Sequence, residues 1–190
     1  MKKRFFLLSV MIAALFVLAA SLSSCASGEE GEGVPDTPKK PDGGYNIPAG
    51  WWSGAFECTV ELSDGTGTEP VAFTLTRDGD VRVAALTAPA SMAGVSVAIS
   101  PEGNHIICGE HDVYVSDEGA AGLKLLFDAL TYDASALSFG ENGTASFSIA
   151  SGGRDAAVTL TLGESGTPSA MSVTAGGYRR DAAITNFVMK

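Results

Sequence analysis

Beyond residue 55 apolar and polar side chains alternate with a period of two, the signature of strands buried on one face. Phe56, Cys58, Val60 and Leu62 alternate with Glu57, Thr59 and Glu61, and Val71, Phe73 and Leu75 alternate with Ala72, Thr74 and Thr76. Asp78-Gly79 then gives a hairpin signal into Val81 and Val83. Val95, Val97 and Ile99, then Ile106 with Cys108, then Val113 with Val115 predict three more strands. Ala145-Phe147-Ile149, Val158-Leu160-Leu162, Met171-Val173 and Ile184 to Met189 complete the series, with Gly152-Gly153 and Gly163 to Pro168 as turns. An antiparallel meander of about nine or ten strands follows. One stretch departs from the pattern. Leu123, Leu126, Phe127 and Leu130 stand at i, i+3, i+4 and i+7, the spacing of an amphipathic helix of about three turns laid against the sheet. Lys124 and Asp128 form an i, i+4 pair on another side of it.

The first 24 residues follow a different rule. Lys2, Lys3 and Arg4 precede an apolar run from Phe5 to Ala20 that only Ser9 interrupts, and small residues follow. This is the build of a secretory signal peptide, and the run is shorter than the roughly 20 residues of a spanning helix. Its end, Leu22-Ser23-Ser24-Cys25, resembles the bacterial lipobox. The resemblance implies cleavage before Cys25 and acyl chains on its thiol. Two or more chains anchor a protein stably, since each buried methylene contributes about 0.8 kcal/mol. The expected location is therefore outside the cytoplasm, on the outer face of the cytoplasmic membrane or on an outer membrane.

Between Ala26 and Gly50 the chain carries Glu29, Glu30 and Glu32, four prolines and Gly43-Gly44, with few apolar side chains. That composition reads as a tether with a reach of up to roughly 75 Å. Three parts result: a signal peptide over 1–24, a lipidated cysteine and acidic tether over 25–50, and one β-rich domain over 51–190.

The chain of 190 residues has 12 basic and 22 acidic side chains, a net charge of −10. Loss of Lys2, Lys3 and Arg4 with the signal peptide makes the mature product more acidic, at −13. Such a surface argues against a nucleic-acid partner. It also removes a polybasic route to the membrane, so attachment falls to the lipid.

The mature domain resembles the lipoprotein-carrier fold of LolA, LolB and the lipid-binding domain of the RseB and MucB type. The likeness is carried by the order of elements. It runs through Thr76 to Val83 into Thr87-Ala88-Pro89, the strand start at Gly94-Val95, the turn Pro101-Glu102-Gly103-Asn104, the helix Leu123 to Leu130 and the closing strand Ile184-Thr185-Asn186-Phe187. The resemblance implies a curved antiparallel sheet forming an incomplete barrel, with the helix against its concave face. An apolar ligand held there, an acyl chain or a lipoprotein, would meet Phe73, Leu75, Val83, Val97, Leu126, Phe127 and Leu130. The other reading is a helix that fills the space, leaving an extracytoplasmic interaction or structural domain with a close-packed core and no small-molecule ligand. The partners expected are the membrane through the anchor, and a lipid or an envelope protein.

Catalytic motifs do not occur: the sequence has no Gly-x-Ser-x-Gly, P-loop, dinucleotide fingerprint or HExxH. The expectation is a non-enzymatic protein with no catalytic residue, no metal and no cofactor beyond the acyl lipid on Cys25. His105-Ile106-Ile107-Cys108-Gly109-Glu110-His111-Asp112 gathers ligand types. A hairpin turning at Glu110-His111 would set Cys108 opposite Val113 and Ile106 opposite Val115, with His105 on the other face; turning one residue earlier would set Cys108 opposite His111 and Ile106 opposite Val113, and the first register is the one expected. Cys58 and Cys108 both fall on predicted inward positions and form a candidate disulfide in an exported protein. Trp51-Trp52 opens the domain, as a packing pair or as an interfacial contact. Tyr178-Arg179-Arg180 is the one tight basic spot, and Asn142-Gly143 reads as a turn.

Overall fold

The computed structural model describes residues 50–63 and 70–190. The signal peptide, the candidate lipidation residue Cys25 and the tether up to residue 49 lie outside the described residues. Among the described residues there are ten strands and one α-helix: β1 (Phe56–Ser63), β2 (Val71–Asp78), β3 (Val81–Ala88), β4 (Val95–Ser100), β5 (Gly103–Cys108), β6 (His111–Val115), α1 (Asp117–Leu130), β7 (Thr144–Ser151), β8 (Arg154–Leu162), β9 (Pro168–Ala175) and β10 (Tyr178–Met189).

All ten strands form one antiparallel, curved and unclosed sheet in the order β6-β5-β4-β3-β2-β1-β10-β9-β8-β7. Two meanders share the centre, where β1 pairs with β10. The chain walks outward from β1 to the edge strand β6, crosses to the opposite edge β7, and walks back in to β10. The crossing is α1.

The helix begins earlier than Leu123 because a start signal lies upstream. Ser116 is the N-cap, its Oγ accepting from Gly119 N at 3.2 Å, and Asp117 and Glu118 occupy the first turn, where carboxylates complement the helix dipole. Leu123, Leu125, Leu126, Phe127, Ala129 and Leu130 are buried against the sheet. Both ends of the helix are tied by polar side chains. Asn104 Nδ2 in β5 donates to Asp117 Oδ1 at 3.0 Å, and Lys124 Nζ donates to the same oxygen at 2.9 Å. Near the other end Asp128 accepts from Arg82 of β3 at 2.5 Å and from Ser151 of β7 at 2.6 Å. The expected Lys124–Asp128 pair therefore does not form. Asp128 faces the sheet, where Arg82 meets it, and Lys124 reaches back two turns to Asp117.

The β5–β6 register differs from the one expected, and β10 carries a bulge. The β5–β6 hairpin turns at Gly109-Glu110, so Cys108 faces His111, Ile106 faces Val113 and Asn104 faces Val115. A two-residue hairpin needs a positive φ at its first central residue, and Gly109, at φ 60°, supplies it. In β10 a bulge sets Asn186 and Phe187 against Cys58, with Asn186 at φ 52°. The extra residue brings the Phe187 ring onto Phe56, with centroids 5.0 Å apart, and leaves Val188 56% exposed. Trp51 packs edge-on against Trp52 and Phe187 and is fully buried, so the tryptophan pair closes the end of the sheet.

The double acceptor at Asp128 is testable. Asp128→Ala leaves the Arg82 guanidinium and the Ser151 hydroxyl without their partner and should cost about 1–2 kcal/mol, with Ser151→Ala costing about 1 kcal/mol. Urea unfolding midpoints check this, and a midpoint unchanged in Asp128→Ala would show that the tie is dispensable.

Candidate functional site

Residues in register across antiparallel strands share a face, so the inner surface can be followed strand by strand. One row runs Cys58, Leu75, Ala84, Val97, Ile106, Val113 from β1 to β6. Its central members are sealed, with Leu75 fully buried, and the outermost, Val113, is 44% exposed. A neighbouring pair, Val95 with Cys108, is half-buried, as is Val97. The cause is the position of the helix. α1 packs against β7 and β9, and on the other side of the sheet it reaches Arg82 of β3. The inner face of β4, β5 and β6 around Val95, Val97, Cys108 and Val113 is left half-open.

The seven side chains expected to line a ligand site separate into three groups. Phe73, Leu75, Leu126, Phe127 and Leu130 lie in the core under the helix, and Phe127 is fully buried. Val97 lies on the half-open inner flank. Val83 does not belong with them. It stands in register with Thr76 and Ala98 on the outer face, because β3 turns Ala84 and Leu86 inward, and period two then turns Arg82 inward as well. Arg82 is tolerated there because Asp128 meets its charge and the Phe127 ring lies 5.9 Å from its Cζ. Hydropathy alone makes Val81 and Val83 the apolar face of β3, and the carboxylate that permits the opposite choice lies 46 residues away in α1.

Cys58 and Cys108 are free thiols, which corrects the candidate disulfide. Strands β2, β3 and β4 stand between them, four spacings of about 4.8 Å, whereas a disulfide needs Cα atoms within about 7 Å. Burial, with Glu57 beside it, pushes the Cys58 thiol up to about 12.

The ligand-type residues of 105–112 are divided by the pleat. His105 lies on the outer face, its Nδ1 2.7 Å from Asp112 Oδ1 and its ring edge-on to Tyr114. Cys108 lies on the inner face, with His111 opposite it on the edge strand. Among the described residues no three His, Cys, Asp or Glu side chains come together as a metal-binding group. Tyr114 covers Gly103, whose missing Cβ would meet the ring at 2.8 Å. Of the remaining sequence features, Arg179 pairs with Asp181 on the surface, and Asn142 Oδ1 accepts from Thr144 N in the turn before β7. Glu57 on β1 is bridged to Lys190 at 2.8 Å.

No family model matches the chain, and no curated protein matches it in sequence. Among solved structures it is similar to a LolA superfamily protein of Nitrosomonas europaea. The identity is 8%, the TM-score is 0.41, and the match covers 73% of this chain and 87% of that chain.

The two thiols should differ in reactivity. Only the thiolate reacts, so at pH 8 iodoacetamide should modify the half-buried Cys108 and spare Cys58 until the domain unfolds. A raised folded pKa stabilises below the ordinary thiol value of 9.0, and that contribution is lost as pH rises toward about 12. Peptide mass mapping after timed alkylation checks this; equal rates at the two cysteines would contradict the packing at β1.

Proposed function

We propose that the protein is a non-enzymatic cell-envelope lipoprotein, held outside the cytoplasm by acyl chains on Cys25, whose half-open inner flank binds an acyl chain or another apolar ligand, free or carried by an envelope protein. The observation that supports this reading is the strip Val95, Val97, Cys108 and Val113, apolar side chains on the concave side of the sheet that the helix does not cover. Apolar surface in water is unfavourable by about 25 cal/mol per Å², so an alkyl chain laid along it gains from both partners. Three strands span about 10 Å, the width of one chain rather than several.

The second reading is an extracytoplasmic interaction or structural domain with no small-molecule ligand. It is favoured by the centre of the sheet, where Leu75 and Phe127 are fully buried and Leu130 is 1% exposed.

Native mass spectrometry of the domain from Ser27 onward, with titration of a fluorescent fatty acid, separates the two. Binding readings expect an acyl adduct or uptake in the wild type and at least a tenfold loss in Val97→Asp. A ligand-free mass with no uptake would rule out the ligand and leave the filled core. The anchor is tested independently: Cys25→Ser should release the protein from membranes in detergent partitioning, and retention would exclude lipidation.

A further inference from the structure

The open sheet has two edges, and they are unlike. Edge strand β7 carries small side chains outward, Ser146, Ser148 and Ala150, while Ala145, Ile149 and Ser151 are buried inward and the Tyr132 ring is stacked on Phe147. Edge strand β6 carries two large side chains in the open: Val113 on the inner face, 44% exposed, and Tyr114 on the outer face, 65% exposed. It contains no proline, lysine or bulge, the devices that usually block pairing at an edge. Its outer row of backbone N–H and C=O groups has no partner among the described residues.

We propose that β6 pairs with β6 of a second copy about a two-fold axis, joining two sheets edge to edge. The strand is self-complementary in one register. Antiparallel pairs must share a face, so a symmetric pairing is centred on a residue and not between two. Centring on Val113 pairs the whole of His111–Val115 with its copy. It sets Val113 against Val113, Tyr114 against Asp112, and His111 against Val115, so that no like charges stand opposite one another within the strand. Centring on Asp112 would oppose two carboxylates directly. Centring on Tyr114 would pair only three strand residues before α1 begins at Asp117. In the Val113 register the phenol of one copy lies beside the carboxylate that already meets His105 at 2.7 Å, where it can donate to the free oxygen. Outside the strand, Glu110 falls opposite Ser116, one residue from Asp117. Both copies are acidic, so their mutual repulsion is screened by salt.

A two-fold perpendicular to the sheet keeps both concave faces on one side, and the half-open flanks of β4, β5 and β6 then adjoin across the axis. A single five-residue strand pair buries less than the 1,200 Å² or so of a stable interface, so the association is weak in solution and depends on concentration.

Cross-linking of the full chain in mild detergent tests the register, in a Cys108→Ser background. Val113→Cys should give an oxidant-induced dimer on a non-reducing gel, because directly opposed strand residues lie within disulfide range. Tyr114→Cys should stay at the background level. Light scattering of the unmodified chain should show a monomer–dimer equilibrium that shifts toward dimer with added salt, and Val113→Asp should hold it monomeric. Cross-linking at Tyr114→Cys equal to or above that at Val113→Cys overturns the proposal, as does a monomeric mass at every concentration. Neither outcome depends on whether the inner flank takes an acyl chain.

Discussion

The connection from edge strand β6 to edge strand β7 constrains everything else in this domain. In a flat sheet nine strand spacings of about 4.8 Å would separate those edges by roughly 43 Å. The helix that makes the crossing has 14 residues, a span of about 21 Å at 1.5 Å per residue. The 13 residues that follow it, 131–143, supply the rest of the reach to β7, and in the curled sheet the helix lies on the concave side. Curvature, the concave core and the position of α1 fit one another. The apolar face of α1 and the inner rows of the strands are each other's means of leaving water.

That arrangement needs fixing against sliding, because apolar contact alone is not directional. The fixing is polar and sits near both ends of the helix. Asn104 holds Asp117 beside β5, and Asp128 collects Arg82 from one meander and Ser151 from the other. Asp128 is one carboxylate bonded to both halves of the sheet. With side chains 24% and 36% exposed, the Arg82–Asp128 pair adds modestly to stability. Its weight lies in specificity, since leaving either charge unpaired in this position costs more than the pair contributes.

What the sequence disclosed follows from the range of the interactions involved. Strand alternation, the glycine turns and the i, i+3, i+4, i+7 apolar stripe of α1 are local, and they placed ten strands and one helix in the right order. The errors arise where a distant partner decides. Val83 read as inward because valine outranks arginine in hydropathy, and only Asp128, from another element, makes Arg82 acceptable inside. Cys58 and Cys108 share a face, but strand order in the sheet, which no local pattern carries, puts three strands between them. The β5–β6 turn had a local signal in Gly109 that outweighs the apolar pairing of Cys108 with Val113. Of the site itself, the apolar inner face was legible, while its division into a covered centre and a half-open flank was not. That division depends on where a helix of fixed length comes to rest.

The length of α1 also explains why the domain keeps an apolar surface in reach of solvent. A helix about 10 Å across spans two or three strands of a sheet. Resting on β7 and β9, and reaching β3 through Arg82 and β5 through Asn104, it leaves Val95, Val97, Cys108 and Val113 of β4, β5 and β6 half-open on the inner side. The mismatch between a short cover and a long apolar face is therefore the physical feature that asks for a further occupant, and it lies beside the one edge strand that presents large side chains to solvent.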